Sequence, residues 1–253
     1  MPEPILTVKG LTKTFKLHGR EDVHAVKDVS FALFPGETLG IIGESGSGKT
    51  TLVNLITGLL PATGGTVTLG DIDVTACKGR QLRAVWKQMQ VVFQTPTESF
   101  DPRRTLGDGI CESMRNNGVS KADAMARAKA LLELCGLPEE YVLRYPHEVS
   151  GGQCQRAAIA RALAIEPKLL VCDEATSALD VTIQAEIIEL LCSLRQKLDM
   201  SILFICHDIA LVQQFCDRVI VMYRGEIVEE GPPDQVVSSP KNRYTQDLID
   251  SIL

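Results

Sequence analysis

Apolar runs alternate with amphipathic segments along most of the chain. Mainly apolar segments at 38–42, 168–174 and 201–206 predict short strands that are buried on both faces. Between two of them, residues 181–198 repeat apolar side chains every three to four positions, which predicts one long helix. Strands that alternate with helices in this way predict an α/β fold whose mostly parallel sheet is covered on both faces.

Shorter apolar segments bounded by turn residues predict further strands around this core. They lie at 5–8, 29–34, 64–70 and 90–94, and a hairpin joins 219–223 to 226–228 across Arg224 and Gly225. A polar loop at 16–22 separates the first two strands, and residues 78–89 predict a helix. The sequence therefore predicts a second group of strands outside the helix-covered sheet.

The pattern changes between residues 101 and 166, where helical signals dominate and strand signals are few. Residues 121–135 carry apolar side chains on one helical face, and a glycine and a proline follow as stop signals. We therefore expect one domain in which a helical subdomain at 95–166 is inserted into a core formed by 1–94 and 167–253.

Composition and charge exclude several classes of function. The chain has 253 residues, a net charge of −6 and a pI of about 5.3, which argues against broad binding to nucleic acid. No apolar run reaches membrane-spanning length and residues 1–4 lack a secretory signal, so a membrane role would need another chain. The eight cysteines form no C-x-x-C pair and four histidines show no metal-binding spacing, so we expect buried thiols in a reducing compartment.

A glycine-rich loop stands between the strand at 38–42 and a helical segment at 52–57. It contains Gly43, Glu44, Ser45, Gly46, Ser47, Gly48, Lys49, Thr50 and Thr51, in the order G-x-x-x-x-G-K-T-T. Glycines let backbone N–H groups converge on phosphate, and the helix start adds further unpaired donors. We expect Lys49 to reach the β- and γ-phosphates and the Thr50 hydroxyl to bind Mg²⁺. The loop therefore predicts a site for a nucleoside triphosphate.

The strand predicted at 168–174 ends in two carboxylates. We expect this strand to lie beside the strand that precedes the glycine loop, so that Asp173 can hold Mg²⁺ directly or through water. Glu174 would then polarise an attacking water. Acidic residues after a strand are also common on surface loops, but the upstream glycine loop favours catalysis.

Two features of the sequence leave alternatives open. Ser150, Gly151, Gly152 and Gln153 precede a predicted helix at 154–165 and offer bare backbone at its positive end. This segment is either an ordinary capped helix start or a second phosphate-binding surface, which would serve a nucleotide held by a neighbouring chain. Phe15, just before the loop at 16–22, either stacks on adenine or packs in the core.

Taken together, these motifs resemble the ATP-binding subunit of an ABC transporter, and the likeness covers nearly the whole chain. Beside the glycine loop, Gln94 matches the Q-loop of that family and His207 its switch histidine. The signature, Walker B and D-loop motifs match residues 149–153, 170–174 and 177–180. Order and spacing agree throughout.

The resemblance implies a P-loop NTPase core with a mostly parallel sheet, an antiparallel β subdomain and an inserted helical lobe. It implies ATP and Mg²⁺ as ligands, held between two such domains that close head to tail. Glu174 would act as general base or water-orienting group, and His207 would contact the γ-phosphate. Gln94 would link Mg²⁺ to the membrane partner, and Phe15 would stack on adenine.

Finer similarities point to the importer branch for dipeptides, oligopeptides and nickel. They lie at 92–94 with 99–103, at 144–148 and at 239–246. This branch implies a related, non-identical second ATPase subunit, two polytopic permease subunits and, indirectly, an extracytoplasmic substrate-binding protein, at the cytoplasmic face of the membrane. Departures from the family pattern, which weaken the assignment of a cargo, are Val149, Cys154, Ala175 and the pair Asn242-Arg243.

Other readings of the same motifs are possible. An ABC-type ATPase that transports nothing, such as a C–P-lyase-associated subunit, is the main alternative, whereas chromosome-type members are disfavoured because no sustained heptads follow the glycine loop. A regulatory module without turnover conflicts with Glu174. Because Cys154 adjoins the signature, we also expect its alkylation to impede closure of two cassettes.

Overall fold

The computed structural model describes residues 2–16, 19, 21–177 and 179–250, which form two sheets and nine helices. The elements in chain order are β1 (Leu6–Phe15), β2 (Val23–Leu33), β3 (Thr38–Ile42), α1 (Lys49–Ile56), β4 (Gly64–Leu69), β5 (Ile72–Asp73), α2 (Leu82–Gln88), β6 (Met89–Val92), α3 (Leu106–Asn116), α4 (Lys121–Leu134), α5 (Gly151–Leu163), β7 (Leu169–Asp173), α6 (Val181–Leu198), β8 (Ser201–Ile205), α7 (Ile209–Phe215), β9 (Arg218–Tyr223), β10 (Glu226–Gly231), α8 (Pro233–Ser238) and α9 (Arg243–Asp250).

The larger sheet has the strand order β10-β9-β3-β8-β7-β6. All its neighbouring pairs are parallel except β9 with β10, so the prediction of a mostly parallel sheet is correct. The expectation that β7 lies beside β3 is wrong, because β8 is inserted between them. The carboxyl ends of these parallel strands still share one edge of the sheet, where Asp173 and the glycine loop lie.

Both faces of this sheet are covered, as the continuous apolar runs predict. In β7, Leu170 and Cys172 point to the helices α5, α6 and α7, while Leu169 and Val171 join the opposite cluster with α1 and the smaller sheet. All five residues of β7 are buried. A strand with neighbours on both faces has no polar side to expose, which explains why its sequence is uninterrupted by polar residues until Asp173.

The smaller sheet is antiparallel, with the order β2-β1-β4-β5. Its first two strands are much longer than the apolar runs predict, because they pair along a bulged register that ends with Phe15 opposite Val23. Only the beginning of this pairing is buried, so the later residues carry no apolar signal. Leu17, His18 and Arg20 of the predicted loop lie outside the described residues.

The predicted helical lobe consists of α3, α4 and α5. Thr105, Ser120 and Ser150 cap these helices, and their side-chain oxygens accept hydrogen bonds from Asp108, Asp123 and Gln153 N–H groups. The apolar side chains of the lobe continue into the cluster on the helix-covered face of the sheet. The boundaries at 95 and 166 stay a prediction, since one continuous cluster spans them.

Two short helices, α8 and α9, follow the last strand and were not predicted. Val236 and Ile249 are buried against the same helix-covered cluster. No helix in the described part of the chain is both long and apolar enough to cross a membrane.

Candidate nucleotide-binding site

The glycine loop connects β3 to α1 in a conformation that other residues would not tolerate. Gly43 has φ 151°, and a Cβ there would lie 2.2 Å from the carbonyl oxygen of Met222. Gly48 has φ 108°, and its Cβ would lie 2.4 Å from the carbonyl oxygen of Ala25. The glycines therefore let the loop pack closely between β9 and β2.

Lys49 begins α1 and is almost fully buried beneath the loop. Its Nζ donates hydrogen bonds to the carbonyl oxygens of Gly43, at 2.6 Å, and Glu44, at 2.9 Å. Burial lowers the pKa of the ammonium, and the negative charges of Glu174 and Asp173 oppose this shift. The chain thus holds one cation inside the curve of the loop, as phosphate binding requires.

An open cavity of about 510 Å³ lies over the loop. Residues of the predicted site that line it are Ser45, Gly46, Gly48, Lys49, Thr50, Thr51 and Glu174. Its other walls are Val23, His24, Ala25 and Lys27 of β2 and the hairpin residues Arg224 and Gly225. The sequence did not single out this second set, because the strand and hairpin meet only in the folded chain, where the Lys27 N–H donates to Gly225 at 2.8 Å.

Asp173 ends β7 and is only 8% exposed. Its Oδ1 has no hydrogen-bond partner among the described residues. Burial, with the negative charge of Glu174 second, raises the pKa of Asp173 from its ordinary value of 3.8 to about 6, and Lys49 opposes the shift. A buried, unpartnered carboxylate oxygen is suited to a divalent cation, so the residues present fit Mg²⁺.

Glu174 is half-buried and reaches the cavity from a strained backbone position. Its φ is 49°, in the left-handed region that residues other than glycine rarely adopt. Its backbone N–H donates a hydrogen bond to the carbonyl oxygen of Ile205 at 3.0 Å. This hydrogen bond to β8 fixes where β7 ends. Asp173 and Glu174, although adjacent, line different depressions.

The second depression, of about 450 Å³, contains Asp173 together with Gln94. Gln94 is exposed and follows β6 by two residues rather than ending the strand, as the sequence predicted. Arg161 lies in the same depression and stacks 4.7 Å from the Phe100 ring. The structure therefore brings Gln94 and Asp173 together, and both lie at the same sheet edge as Thr50.

Helix α5 begins at Gly151, within the signature and three residues earlier than predicted. It ends at Leu163 rather than at about 165. Ser150 caps it, accepting from the Gln153 N–H at 3.3 Å, and Gln153 Oε1 accepts from the Ser150 N–H at 2.9 Å. Gly152 is required for packing, because a Cβ there would lie 2.6 Å from Ile183 in α6. None of residues 150–153 lines the cavity over the glycine loop.

Neither Phe15 nor His207 lines the cavity over the glycine loop. Phe15 ends β1 and its side chain is 37% exposed, with Lys13 Nζ 5.1 Å from the ring centroid, so packing in the core is excluded. It pairs with Val23, which lines the cavity. His207 is exposed and follows β8. In the D-loop, Ala178 lies outside the described residues, and Asp180 caps α6 through the Ile183 N–H at 3.0 Å.

Burial argues against the expectation that alkylation of Cys154 impedes closure. Cys154 is fully buried in α5, and burial raises the pKa of its thiol to about 11. A buried neutral thiol does not meet an alkylating reagent in the folded protein. The expectation of buried thiols holds for six of the eight cysteines, whereas Cys77 and Cys192 are half-buried.

We expect Asp173→Asn to raise the Tm of the nucleotide-free protein at pH 7 by a few degrees. The folded-state pKa of about 6 exceeds the ordinary 3.8, so this carboxyl binds its proton more tightly when folded, and its contribution to the free energy of unfolding falls as pH rises from about 4 to about 6. One kcal/mol corresponds to about 2–4 °C in a chain of this size. Thermal melts from pH 4 to 8 test this; a variant that melts below the parent at pH 7 would contradict it.

Comparison with known proteins places these features in a family. A family model described as ABC transporter matches residues 26–177. The glutathione import ATP-binding protein GsiA of Escherichia coli (strain K12) is 44% identical over 257 residues, which cover 99% of this chain and 41% of that protein. The chain thus spans about two fifths of the length of the curated relatives it matches.

Two solved structures are similar over most of both chains. The ATP-binding cassette MJ0796, in a dimeric post-hydrolysis state bound to ADP and Pi, has a TM-score of 0.82 at 31% identity, covering 90% of this chain and 98% of that one. The protein cbiO1 from Clostridium perfringens, part of the ABC transporter complex cbiONQ, has a TM-score of 0.83 at 28% identity, covering 93% and 91%.

Proposed function

Because this chain belongs to the ABC transporter family, we propose that it binds and hydrolyses ATP and thereby energises import through membrane subunits. The observation that carries the proposal is the single cavity that joins the glycine loop, the buried cation of Lys49 and the carboxylate of Glu174. A triphosphate in this cavity would meet hydrogen-bond donors from the glycine loop and Lys49, and the Glu174 carboxylate as a proton acceptor.

In this proposal the loop N–H groups and Lys49 hold the β- and γ-phosphates. Lys49 exchanges the carbonyl oxygens of Gly43 and Glu44 for phosphate oxygens, which are stronger acceptors. Phe15 stacks on adenine beside the Val23 wall, since an exposed ring at the end of β1 has an open face.

Thr50, Gln94 and Asp173 would hold Mg²⁺. The best supported ligand is Asp173 Oδ1, because this buried oxygen has no hydrogen-bond partner among the described residues. When bound, the ion neutralises charge on the phosphate oxygens. Asp173 would serve as a ligand in its ionised form.

Hydrolysis then requires one proton acceptor close to the γ-phosphate. Glu174 takes a proton from water as the water oxygen forms its bond to the γ-phosphorus and the bond to the β–γ bridging oxygen breaks, which releases ADP and phosphate. His207 donates a hydrogen bond to the γ-phosphate from the adjoining strand end. Both side chains follow strands that are neighbours in the sheet, β7 and β8.

Ser150, Gly151, Gly152 and Gln153 lie outside this cavity and form a capped helix start of their own. We infer that they cover the γ-phosphate of a nucleotide held by a second cassette, so that two cassettes close head to tail around two ATP molecules. The second cassette is a related, non-identical chain, and two polytopic permeases and an extracytoplasmic binding protein complete the importer. The chain then works at the cytoplasmic face of the membrane.

The cargo we favour is a peptide, because the relatives at 43–44% identity are named for import of glutathione. Nickel or a metal chelate is the other cargo that the branch admits. No observation on this chain favours the alternative, an ATPase of a soluble enzyme assembly.

Phosphate release by the purified chain with its partner cassette tests the proposed function. We expect the rate per molecule to rise with protein concentration, because each site is incomplete without a second cassette. Co-purification with polytopic membrane subunits tests the transport role. A rate per molecule that does not change with concentration, or isolation only with soluble enzymes, would contradict the corresponding part of the proposal.

A further inference from the structure

The last helix of the described chain contacts the glycine loop through one side chain. Tyr244, in the first turn of α9, places its hydroxyl oxygen 3.0 Å from the backbone N of Glu44, and this oxygen accepts the hydrogen bond. The Tyr244 ring stacks on Tyr223 at the end of β9, with the centroids 4.0 Å apart and the planes 28° apart. The contact therefore has both a polar and an apolar part.

The position of Tyr244 is fixed by β10 rather than by the loop. Glu229 accepts hydrogen bonds from the backbone N–H groups of Lys241, at 2.8 Å, and Asn242, at 3.0 Å. The Asn242 side chain in turn accepts from the Tyr244 N–H at 2.9 Å. These bonds orient the start of α9, so the hydroxyl is presented to the loop by a preformed support.

The hydrogen bond from the Glu44 N–H to Tyr244 restrains a flexible part of the glycine loop. Glu44 follows Gly43 and precedes a stretch with two more glycines, so this segment has wide conformational freedom. In the structure, Lys49 Nζ holds the Glu44 carbonyl and Tyr244 holds the Glu44 N–H. If Lys49 turns to phosphate, two hydrogen bonds still restrain Glu44: its carbonyl accepts from the Ser47 N–H at 3.1 Å within the loop, and its N–H donates to Tyr244 from outside the loop.

The same aromatic pair also lies under the facing wall of the cavity. The Arg224 guanidinium lies 5.0 Å from the Tyr223 ring centroid, and Arg224 lines the cavity. The next residue, Gly225, donates its N–H to the Ser47 carbonyl at 2.9 Å. Tyr244 is thus connected to the loop directly at Glu44 and, through the hairpin, at Ser47.

We propose that Tyr244 is a positioning residue for nucleotide binding, which holds the glycine loop in its phosphate-binding shape from the C-terminal helix. The inference rests on the proposed function, since it assigns a further residue to the same site. Tyr244 does not touch the reacting atoms. Its contribution lies in the shape of the loop before and while the triphosphate is bound.

The variant Tyr244→Phe removes only the hydroxyl and keeps the stacked ring. We expect about a two- to ten-fold rise in the KM for ATP, the equivalent of one neutral hydrogen bond, with kcat changed less than about twofold. Tyr145→Phe is the matched control, because the Tyr145 ring stacks on His147 in the helical lobe and Tyr145 does not line the cavity over the glycine loop. It should leave KM unchanged.

Two further measurements separate positioning from folding. Affinity for the fluorescent analogue trinitrophenyl-ATP is measured on parent, Tyr244→Phe and Tyr244→Ala, together with the Tm without nucleotide. Weaker binding by Tyr244→Phe at an unchanged Tm, and still weaker binding by Tyr244→Ala, supports the inference. Equal binding by parent and Tyr244→Phe overturns it while leaving the proposed function intact, whereas a parent that binds no nucleotide overturns both.

Discussion

We expect Glu174→Gln to abolish most phosphate release while ATP binding persists. The substitution keeps the size of the side chain but removes the group that accepts a proton from water, and loss of a general base costs about 10²- to 10⁴-fold in rate. The backbone around Glu174 is fixed by its N–H bond to Ile205 rather than by the carboxylate, so the loop geometry should survive. Phosphate release measures the loss of hydrolysis, and trinitrophenyl-ATP binding to the same preparation measures whether nucleotide binding persists.

Glu133→Gln is the control for this substitution, because Glu133 is an exposed residue on α4 in the helical lobe. It should release phosphate at the parental rate. We further expect Glu174→Gln to accumulate as a closed pair of cassettes in the presence of ATP, seen as a larger species by size-exclusion chromatography. Turnover within about threefold of the parent would remove Glu174 from its catalytic role.

Lys49→Ala should weaken nucleotide binding itself by roughly 10- to 100-fold, as expected when a charge-assisted contact to phosphate is lost. In the nucleotide-free protein the same side chain holds the Gly43 and Glu44 carbonyls, so some loss of loop order is also expected. Trinitrophenyl-ATP affinity measures the first effect and the Tm measures the second.

The two effects of Lys49→Ala differ in their dependence on ligand. Loss of loop order lowers the Tm without nucleotide, whereas loss of the phosphate contact reduces the additional stabilisation that ATP gives. Lys121→Ala, at the exposed start of α4, is the control for removal of a lysine. An unchanged affinity in Lys49→Ala would show that the ammonium does not face the phosphates.

The part of the site that could be predicted from sequence is the part carried by local geometry. The glycine loop needs left-handed residues and a helix start within a few positions, and Ser150 caps its helix three residues away. Such requirements leave a signature in consecutive residues. Asp173 was identified for the same reason, since it is the first polar residue after a fully buried strand.

What the sequence could not supply is the relation between distant segments. The insertion of β8 between β3 and β7 follows from the order of crossovers, which apolar runs do not encode. His24, Lys27 and Arg224 line the cavity only because β2 and the β9–β10 hairpin meet there. The burial of Cys154 depends on how α5 faces the rest of the core, which its sequence position beside the signature did not reveal.

The peptide bond between Asp173 and Glu174 links the two depressions of the site. One carboxylate faces the depression that holds Gln94 and the other faces the chamber over the glycine loop, yet a single peptide group joins them. Neither side chain can shift its backbone without carrying the other. A backbone shift at Glu174 would therefore also displace Asp173 and the wall of the depression that contains Gln94.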